Sequence, residues 1–243
     1  MTADPALARN RAFYDPLWTH ARLIPPERFN TWPVIARLAT GPRLEIGPGM
    51  HPRLPLAGSD FLDASPAAAR ALRAAGGRSV VGTLTALPYP TGAFTLIVAL
   101  DVIEHVTDEH AAFAELARVA APGAALLLSV PLDAGRWSRF DDTVGHTRRY
   151  DLPGLARILT THGWTVEASA GFGLRPRFPA LVALGMWFLA RQPARAMHWY
   201  NRALPGTLAR QAPLTLVPGL GGVDPRTEAV ILLARRSPTS ACI

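Results

Sequence analysis

The chain has 243 residues, about half of them apolar, which is enough for one large domain or a domain with a small appendage. Its formal net charge is +7, but all 25 basic residues are arginine, no arginine run exceeds two, and no basic stretch is interleaved with stacking aromatics. This pattern argues against a nucleic-acid substrate. The single cysteine, Cys242, excludes an internal disulfide and a cysteine-based metal cage.

The first forty residues predict a helical cap, residues 1–40. The stretch that begins at Pro25 opens on two prolines, which suit a first helical turn, and its apolar residues recur at three-residue steps as far as Leu38. The N-terminus is polar and has no apolar signal core, so we expect a cytoplasmic protein.

From Arg43 onward, short apolar runs alternate with helical stretches. Helices are predicted from Ser65, Thr107 and Asp151, and Ser65 and Thr107 stand at positions typical of an N-cap. A segment with six arginines and no acidic residue, 173–222, interrupts the alternation and predicts a helical insert or lid. The predicted strands are 43–46, 59–63, 78–82, 93–100, 125–132, 165–169 and 228–236.

Strands that are apolar throughout and separated by helices are typical of a parallel sheet covered on both faces. We therefore predict a doubly wound α/β fold, with a core over residues 41–172 and a final strand and tail over residues 223–243. Such sheets bind ligands beyond the carboxyl ends of their strands, so the residues that follow each strand are the candidates for function.

Polar or conformationally special residues follow three of these strands. The first strand ends at Glu45 and the turn Gly47–Pro48–Gly49, where glycine lets backbone N–H groups approach a ligand closely. The second ends at Asp63, a carboxylate that can accept both hydroxyls of a ribose. The fourth ends at the polar stretch 101–105, which contains two acids and a histidine.

Together these stretches resemble the class I S-adenosylmethionine-dependent methyltransferases. The matching segments are "LEIGPG", "FLDASP", "LPYPTGAFTLIVALDVIEHV" and "ELARVAAPGAALLLSVPL". The resemblance implies a Rossmann-like, seven-stranded sheet with a reversed last strand, and "EAVILLARR" would be that strand. A "GHxRRY" segment at 145–150 resembles a subgroup of bacterial enzymes that act on small metabolites, glycans or lipid-linked molecules.

The resemblance also implies a cofactor, S-adenosyl-L-methionine, and roles for single residues. Asp63 would hold the ribose, and Thr83 stands where the family often has an acid for the adenine amine. His51 replaces a frequent third glycine. Because the Thr83 hydroxyl would bond the adenine amine less strongly than a charged acid, these departures predict somewhat weak cofactor affinity. The predicted cofactor residues are Glu45, Gly47, Gly49, Asp63, Ala64, Thr83, Leu84, Leu100, Asp101 and Tyr14.

Methyl transfer to a small-molecule acceptor is an in-line displacement, and an oxygen acceptor would benefit from a base. His146 is the first candidate base and His105 the second. The predicted substrate-binding residues are Arg139, Arg148, Arg149 and Tyr150, since paired arginines can hold an anionic group bidentately.

Several alternatives stay open at this point. The chain could methylate a glycan or lipid-linked acceptor, with peripheral membrane contact through 173–222, or it could bind the cofactor without catalysis. A nicotinamide site is disfavoured because Pro52 fills its third glycine position. Asp101, Glu104, His105, Asp141, Asp142 and His146 could in principle gather around Mg²⁺. We expect no metal, because such acids usually serve helices and ribose. The oligomeric state is open.

Overall fold

The computed structural model describes residues 5–172, 179–224 and 227–238. Parts of the predicted cap, insert and tail, namely residues 1–4, 173–178, 225–226 and 239–243, lie outside the described residues. The strands are β1 (Arg43–Ile46), β2 (Asp60–Asp63), β3 (Arg78–Val81), β4 (Phe94–Leu100), β5 (Ala120–Pro131), β6 (Trp164–Phe172), β7 (Val217–Pro218) and β8 (Ala229–Arg236).

The eight strands form one sheet in the order β3-β2-β1-β4-β5-β8-β6-β7. The pairs from β3 to β5 are parallel, whereas β8 runs antiparallel between β5 and β6. The doubly wound fold with a reversed last strand is therefore confirmed. The predicted number of seven strands is corrected, because residues 217–218 of the insert add a short edge strand that pairs with Ala168 and Ser169.

Helices cover both faces of the sheet, and a hydrophobic core lies on each side. Three short 3₁₀ helices lie at Pro26–Arg28, Ile103–His105 and Ala134–Arg136. The α-helices are α1 (Pro5–Trp18), α2 (Trp32–Leu38), α3 (Pro66–Ala74), α4 (Glu109–Val119), α5 (Arg139–Val144), α6 (Leu152–Thr161), α7 (Pro179–Arg191) and α8 (Pro193–Leu208).

The single helix predicted from Pro25 to Leu38 is wrong. The structure has a 3₁₀ turn at Pro26–Arg28, an extended Phe29 with φ −91° and ψ 145°, and then α2. Pro33 explains the break, because in a continuous helix it could not donate to the carbonyl of Phe29 and its ring would clash there. In the first turn of α2 the same proline is tolerated.

The insert contains α7, α8 and β7. Three of its apolar side chains are largely exposed: Leu184 (61%), Trp187 (55%) and Trp199 (65%). No helix within the described part of the chain combines the length and apolarity needed to cross a membrane. Peripheral contact between the insert and a membrane stays a prediction.

Candidate active site

A cavity of about 600 Å³ opens beyond the carboxyl ends of β1, β2 and β4, where the sheet topology predicts a ligand. A volume of this size is typical of small-molecule sites. The first histidine after β4, His105, also lines it. Of the predicted cofactor residues, those that line the cavity are Tyr14, Glu45, Gly47, Asp63, Ala64, Thr83, Leu84, Leu100 and Asp101.

Gly49 lies behind the cavity wall, and both loop glycines are required by the local geometry. Gly47 and Gly49 have φ angles of 65° and 56°, in the left-handed region. A Cβ atom on Gly47 would stand 2.7 Å from Cγ2 of Val102, and one on Gly49 would stand 2.6 Å from the Trp18 ring. The loop can therefore pass between the strand ends and α1 only if both residues lack a side chain.

Asp63 joins the end of β2 to this glycine loop. Its Oδ2 accepts a hydrogen bond from the Gly49 N–H at 2.8 Å, and its Oδ1 accepts one from the Ser65 N–H at 2.7 Å. Burial raises the pKa of Asp63 to about 6, although both hydrogen bonds oppose the shift. A carboxylate can accept about four hydrogen bonds, so the Asp63 carboxylate has capacity left for two ligand hydroxyls.

Glu45 organises the connection between β1 and β2, which contains no helix. Its carboxylate is 2% exposed and accepts hydrogen bonds from the N–H groups of Arg53 and Leu54 at 2.9 Å. Burial raises the pKa of Glu45 to about 7. The Glu45 carboxylate therefore fixes the backbone of residues 53 and 54, and this places the Arg53 side chain in the cavity wall.

Arg53 is a site residue that the sequence reasoning missed. Its guanidinium lies 3.6 Å from the centroid of the Phe29 ring, a cation–π contact. The described part of the chain offers this guanidinium no hydrogen bond and no ion pair within 4 Å, and burial lowers the pKa of Arg53. Arg53 is the one charged residue between Glu45 and Asp60, a signal that could have identified it. A half-buried cation that faces a cavity can bind an anionic ligand group.

Asp101 ends β4 in an unusual backbone conformation. Its φ is 55°, which is uncommon for a residue other than glycine. The Ser129 hydroxyl donates to its Oδ1 at 2.7 Å, and its own N–H donates to the Ser129 Oγ at 2.9 Å. The Asp101 side chain is exposed to the cavity, and desolvation by the surrounding protein raises its pKa. Backbone strain of this kind often marks a functional position.

Aromatic side chains from α1 form one side of the cavity. Tyr14 and Trp18 stack with ring centroids 5.4 Å apart, and Tyr14 meets His105 edge-on at 6.3 Å. His51, which replaces the expected glycine, packs against Trp18 at 5.4 Å and against Tyr200 of α8 at 5.7 Å. The N-terminal helix therefore lines this space directly, whereas the insert packs against His51, one of the residues of its wall.

The two candidate bases occupy different positions. His105 lines the cavity, whereas His146 lies behind it, with the two ring centroids 4.7 Å apart. The Nδ1 atom of His146 is 2.8 Å from Oδ1 of Asp141. Burial lowers the pKa of His105 to about 3 and also lowers that of His146. Both rings are therefore neutral near pH 7, and His105 is a weak base.

The predicted substrate residues do not line the cavity. Arg149 is 6% exposed and pairs with Asp141 at 2.8 Å and with Glu228 at 2.9 Å. Arg148 pairs with Glu109 at 2.8 Å, and the Tyr150 hydroxyl donates to the same carboxylate at 2.8 Å.

Arg139 is exposed on α5. In Arg148, Arg149 and Tyr150, the polar groups expected to meet a substrate instead tie the 141–150 segment to α4 and to the start of β8. These contacts give no support to the substrate-binding roles predicted for these residues.

Residues 52–128 match the family described as "Methyltransferase domain". A protein of Mycolicibacterium smegmatis named "Probable S-adenosylmethionine-dependent methyltransferase" is 33% identical over 94 residues, covering 37% of this chain and 36% of that protein. Ajmaline N-methyltransferase of Rauvolfia serpentina is 42% identical over 48 residues, covering 20% of this chain and 16% of that protein. The chain thus spans about a third or less of the length of these relatives.

Two solved structures share the fold over most of the chain. A SAM-dependent methyltransferase of Thermotoga maritima, described as a possible histamine N-methyltransferase, has a TM-score of 0.57 at 16% identity. The superposition covers 95% of this chain and 92% of that protein's chain. An S-adenosylmethionine-dependent methyltransferase of Mesorhizobium loti has a TM-score of 0.52 at 16% identity. That superposition covers 87% of this chain and 100% of the other protein's chain. The chain therefore has the fold of these two methyltransferases, and part of it, residues 52–128, matches a methyltransferase domain.

Proposed function

We propose that this chain binds S-adenosylmethionine in the cavity beyond β1, β2 and β4 and transfers its methyl group to a small-molecule acceptor. The observation that supports this most strongly is the hydrogen bond from the Gly49 N–H to Asp63 at the edge of that cavity. This hydrogen bond places the glycine loop beside a buried carboxylate. The match to a methyltransferase domain and the shared fold also support the proposal.

The residues present fit this cofactor. Gly47 lines the cavity without a side chain, so its backbone can approach a ligand closely, and Asp63 retains two acceptor positions suited to the ribose hydroxyls. Thr83 lines the cavity, and its hydroxyl can bond the adenine amine less strongly than a carboxylate could. Arg53 lines the cavity, and its guanidinium could bind the carboxylate of the methionine portion.

When bound, S-adenosylmethionine supplies a methyl group on a positively charged sulfur, and the acceptor displaces that sulfur. The protein's task is to hold the two reactants in line, which can contribute roughly 7–11 kcal/mol. Tyr14 and Trp18 on α1 line the cavity and would exclude water from it. Leu100 and Asp101 border the space where the methyl group would be presented.

We expect the acceptor atom to be an oxygen rather than a nitrogen or a carbon. His105 is the better placed of the two candidate bases, because it lines the cavity and His146 does not. Its lowered pKa makes it weaker than the near-neutral base that proton transfer favours. We therefore assign the main catalytic contribution to positioning and keep His105 as the candidate that receives a proton.

Calorimetric titration of the chain with S-adenosylhomocysteine tests the proposal. We expect one molecule bound per chain, and Asp63→Asn should weaken that affinity by at least about tenfold, because hydrogen bonds to a charged group contribute about 1.5–3 kcal/mol. Asp60→Asn is the matched control, since Asp60 lies on the same strand and pairs with the exposed Arg78. It should leave the affinity unchanged.

Absence of heat with both S-adenosylmethionine and S-adenosylhomocysteine would exclude the proposed cofactor site. Equal weakening by Asp63→Asn and Asp60→Asn would remove Asp63 from it. Release of S-adenosylhomocysteine in the presence of hydroxyl or amine acceptors would then establish transfer. Binding without release for any acceptor would favour the non-catalytic alternative.

A further inference from the structure

We propose that Glu104, His105 and His146 form a binding site for a divalent transition-metal ion, for which Zn²⁺ is the probe. One ligand atom from each of the three residues lies within 4.8 Å of the other two. Of the six residues that the sequence analysis considered around Mg²⁺, these three come together, and the expectation of no metal is replaced by this proposal.

The backbone brings the three ligands together from two segments of the chain. Glu104 and His105 lie on the 3₁₀ turn that follows β4. His146 follows Gly145, which ends α5 in the left-handed conformation with φ 82°. Thr147 ties the segments together, because its N–H and its hydroxyl donate to the Glu104 carbonyl at 2.7 Å and 2.8 Å.

Neighbouring groups orient both imidazole rings. The Nδ1 atom of His146 is held by Asp141 at 2.8 Å, and its Nε2 faces Oε1 of Glu104 at 3.8 Å. The Nδ1 atom of His105 lies 3.2 Å from the Gly145 carbonyl and 3.1 Å from the Asn10 amide nitrogen. An Nδ1–H tautomer would donate to the Gly145 carbonyl, and the Asn10 amide would then donate to the Val144 carbonyl. Contacts of this kind, from a carboxylate or a carbonyl to the outer ring nitrogen, are the usual support of metal-binding histidines.

Glu104 supplies an independent observation. Its side chain is 1% exposed, and within the described residues its Oε2 atom has no hydrogen-bond partner. The nearby Arg149 guanidinium is already engaged by Asp141 and Glu228. Buried carboxylates are normally paired or coordinate a metal, so a cation beside Glu104 would supply the partner that its ionised form lacks.

The ligand chemistry selects the type of ion. Two imidazoles and one carboxylate match the protein ligands of catalytic zinc sites, whereas Mg²⁺ and Ca²⁺ prefer oxygen ligands. Tetrahedral zinc places ligand atoms about 3.4 Å apart, so the His146–Glu104 pair at 3.8 Å needs to close by only a few tenths of an ångström. Because His105 also lines the cavity, the metal would border the proposed cofactor space, and His105 could receive a proton only in the metal-free chain.

The experiment is a titration of the full chain with Zn²⁺ after chelator treatment and buffer exchange, in a Cys242→Ser background. We expect one ion per chain, a rise in the melting temperature on binding, and d–d absorption of a nitrogen–oxygen site when Co²⁺ replaces Zn²⁺. Glu104→Gln, His105→Gln and His146→Gln should each weaken Zn²⁺ affinity by at least about tenfold.

The exposed pair His110 and His162, with ring nitrogens 3.2 Å apart, is the matched control. A His110→Gln/His162→Gln variant should keep both the affinity and the cobalt spectrum. Absence of stoichiometric Zn²⁺ binding would overturn the proposal, as would binding that survives Glu104→Gln or is lost with the exposed pair. Glu104→Gln nearly preserves side-chain shape, so it carries the test if a histidine variant fails to fold.

Discussion

Arg53 shows how one side chain can define the chemistry of a cavity. Its backbone N–H bonds to Glu45, its guanidinium lies on Phe29, and its charged end faces the space beside Asp101. The Glu45 hydrogen bonds and the Phe29 contact fix the position of the cation while its donors stay available. An anionic portion of a ligand would find its partner here.

At the residue scale we predict that Arg53→Met weakens S-adenosylhomocysteine binding about ten- to hundredfold, because a hydrogen-bonded charge pair is lost. Affinity for 5′-methylthioadenosine, which has no carboxylate, should change by less than about twofold. Calorimetry with both ligands measures the difference. Arg28→Met, which removes an exposed arginine, is the control for the change in net charge. Equal losses for the two ligands would contradict the assignment.

Single residues of the site were predictable where backbone geometry limits the choice of amino acid. The glycine loop and Asp63 could be identified because only glycine fits such a turn and a carboxylate at a strand end faces the cleft. Arg53 could not be identified in the same way, since its position depends on how the connection between β1 and β2 folds back on Glu45. The roles of the predicted cofactor residues stay proposals.

Helix α1 is fastened to the core through the amino terminus of α3. The Asp15 carboxylate on α1 accepts hydrogen bonds from the Ser65 hydroxyl and from the Ala67 N–H at 3.3 Å. A negative charge at a helix amino terminus is favourable, so this contact stabilises both helices. It also holds Tyr14 and Trp18, the neighbouring aromatics of α1, against the cavity.

At the scale of elements we predict that Asp15→Ala lowers the free energy of unfolding by about 1 kcal/mol and weakens S-adenosylhomocysteine binding several-fold. Asp151→Ala is a matched control, because Asp151 caps α6 through the Gly154 N–H at 2.7 Å and does not line the cavity. It should cost similar stability and leave the affinity unchanged. Denaturant titration and calorimetry measure the two effects, and the same affinity change in both variants would argue against a fastening role.

Elements with a strong apolar period were predictable, and their interruptions were less so. The break before α2 depends on Pro33, which lies in the first turn of α2. The sequence prediction instead placed Pro33 inside a longer helix whose first turn began at Pro25. The segment around Arg149 illustrates a second limit. Its clustered charges suggested a substrate site, but their partners Glu109 and Glu228 come from distant parts of the chain. Spacing along the sequence does not reveal those partners.

At the scale of the whole molecule, Arg149 connects α5 to the start of β8. It bonds both oxygens of Asp141, which is fully buried, and reaches Glu228 beside the last strand. Removal of one partner from such a pair leaves a buried charge uncompensated, which is more costly than loss of the pair as a whole. Because these ion pairs connect distant parts of the chain, their loss should lower the stability of the whole molecule rather than of one element.

We expect Arg149→Met to lower the free energy of unfolding by about 3 kcal/mol, measured by chemical denaturation. Arg235→Met provides the comparison, since Arg235 pairs with Glu167 at 2.9 Å on the surface, where the two side chains are 38% and 40% exposed. That exposed pair should contribute at most about 1 kcal/mol. Similar losses in the two variants would show that the buried network is not a major source of stability.

The overall architecture was the most predictable level. Apolar strands that alternate with helices predict a doubly wound sheet because no other arrangement buries strands that are apolar on both faces. The two-residue β7 escaped prediction, since so short a strand has no periodicity and forms only because the insert passes the edge of β6. The position of the cavity followed from the topology.

The antiparallel β8, seated between β5 and β6, bears on how the chain folds during synthesis. A nascent chain that still lacks residues 229–236 can assemble β1 to β5, but the backbone groups of β5 and β6 that β8 will bond remain open. Open strand edges are sites of unwanted pairing between molecules. Until the ribosome delivers that segment, the nascent chain should be most vulnerable to aggregation and most dependent on chaperones.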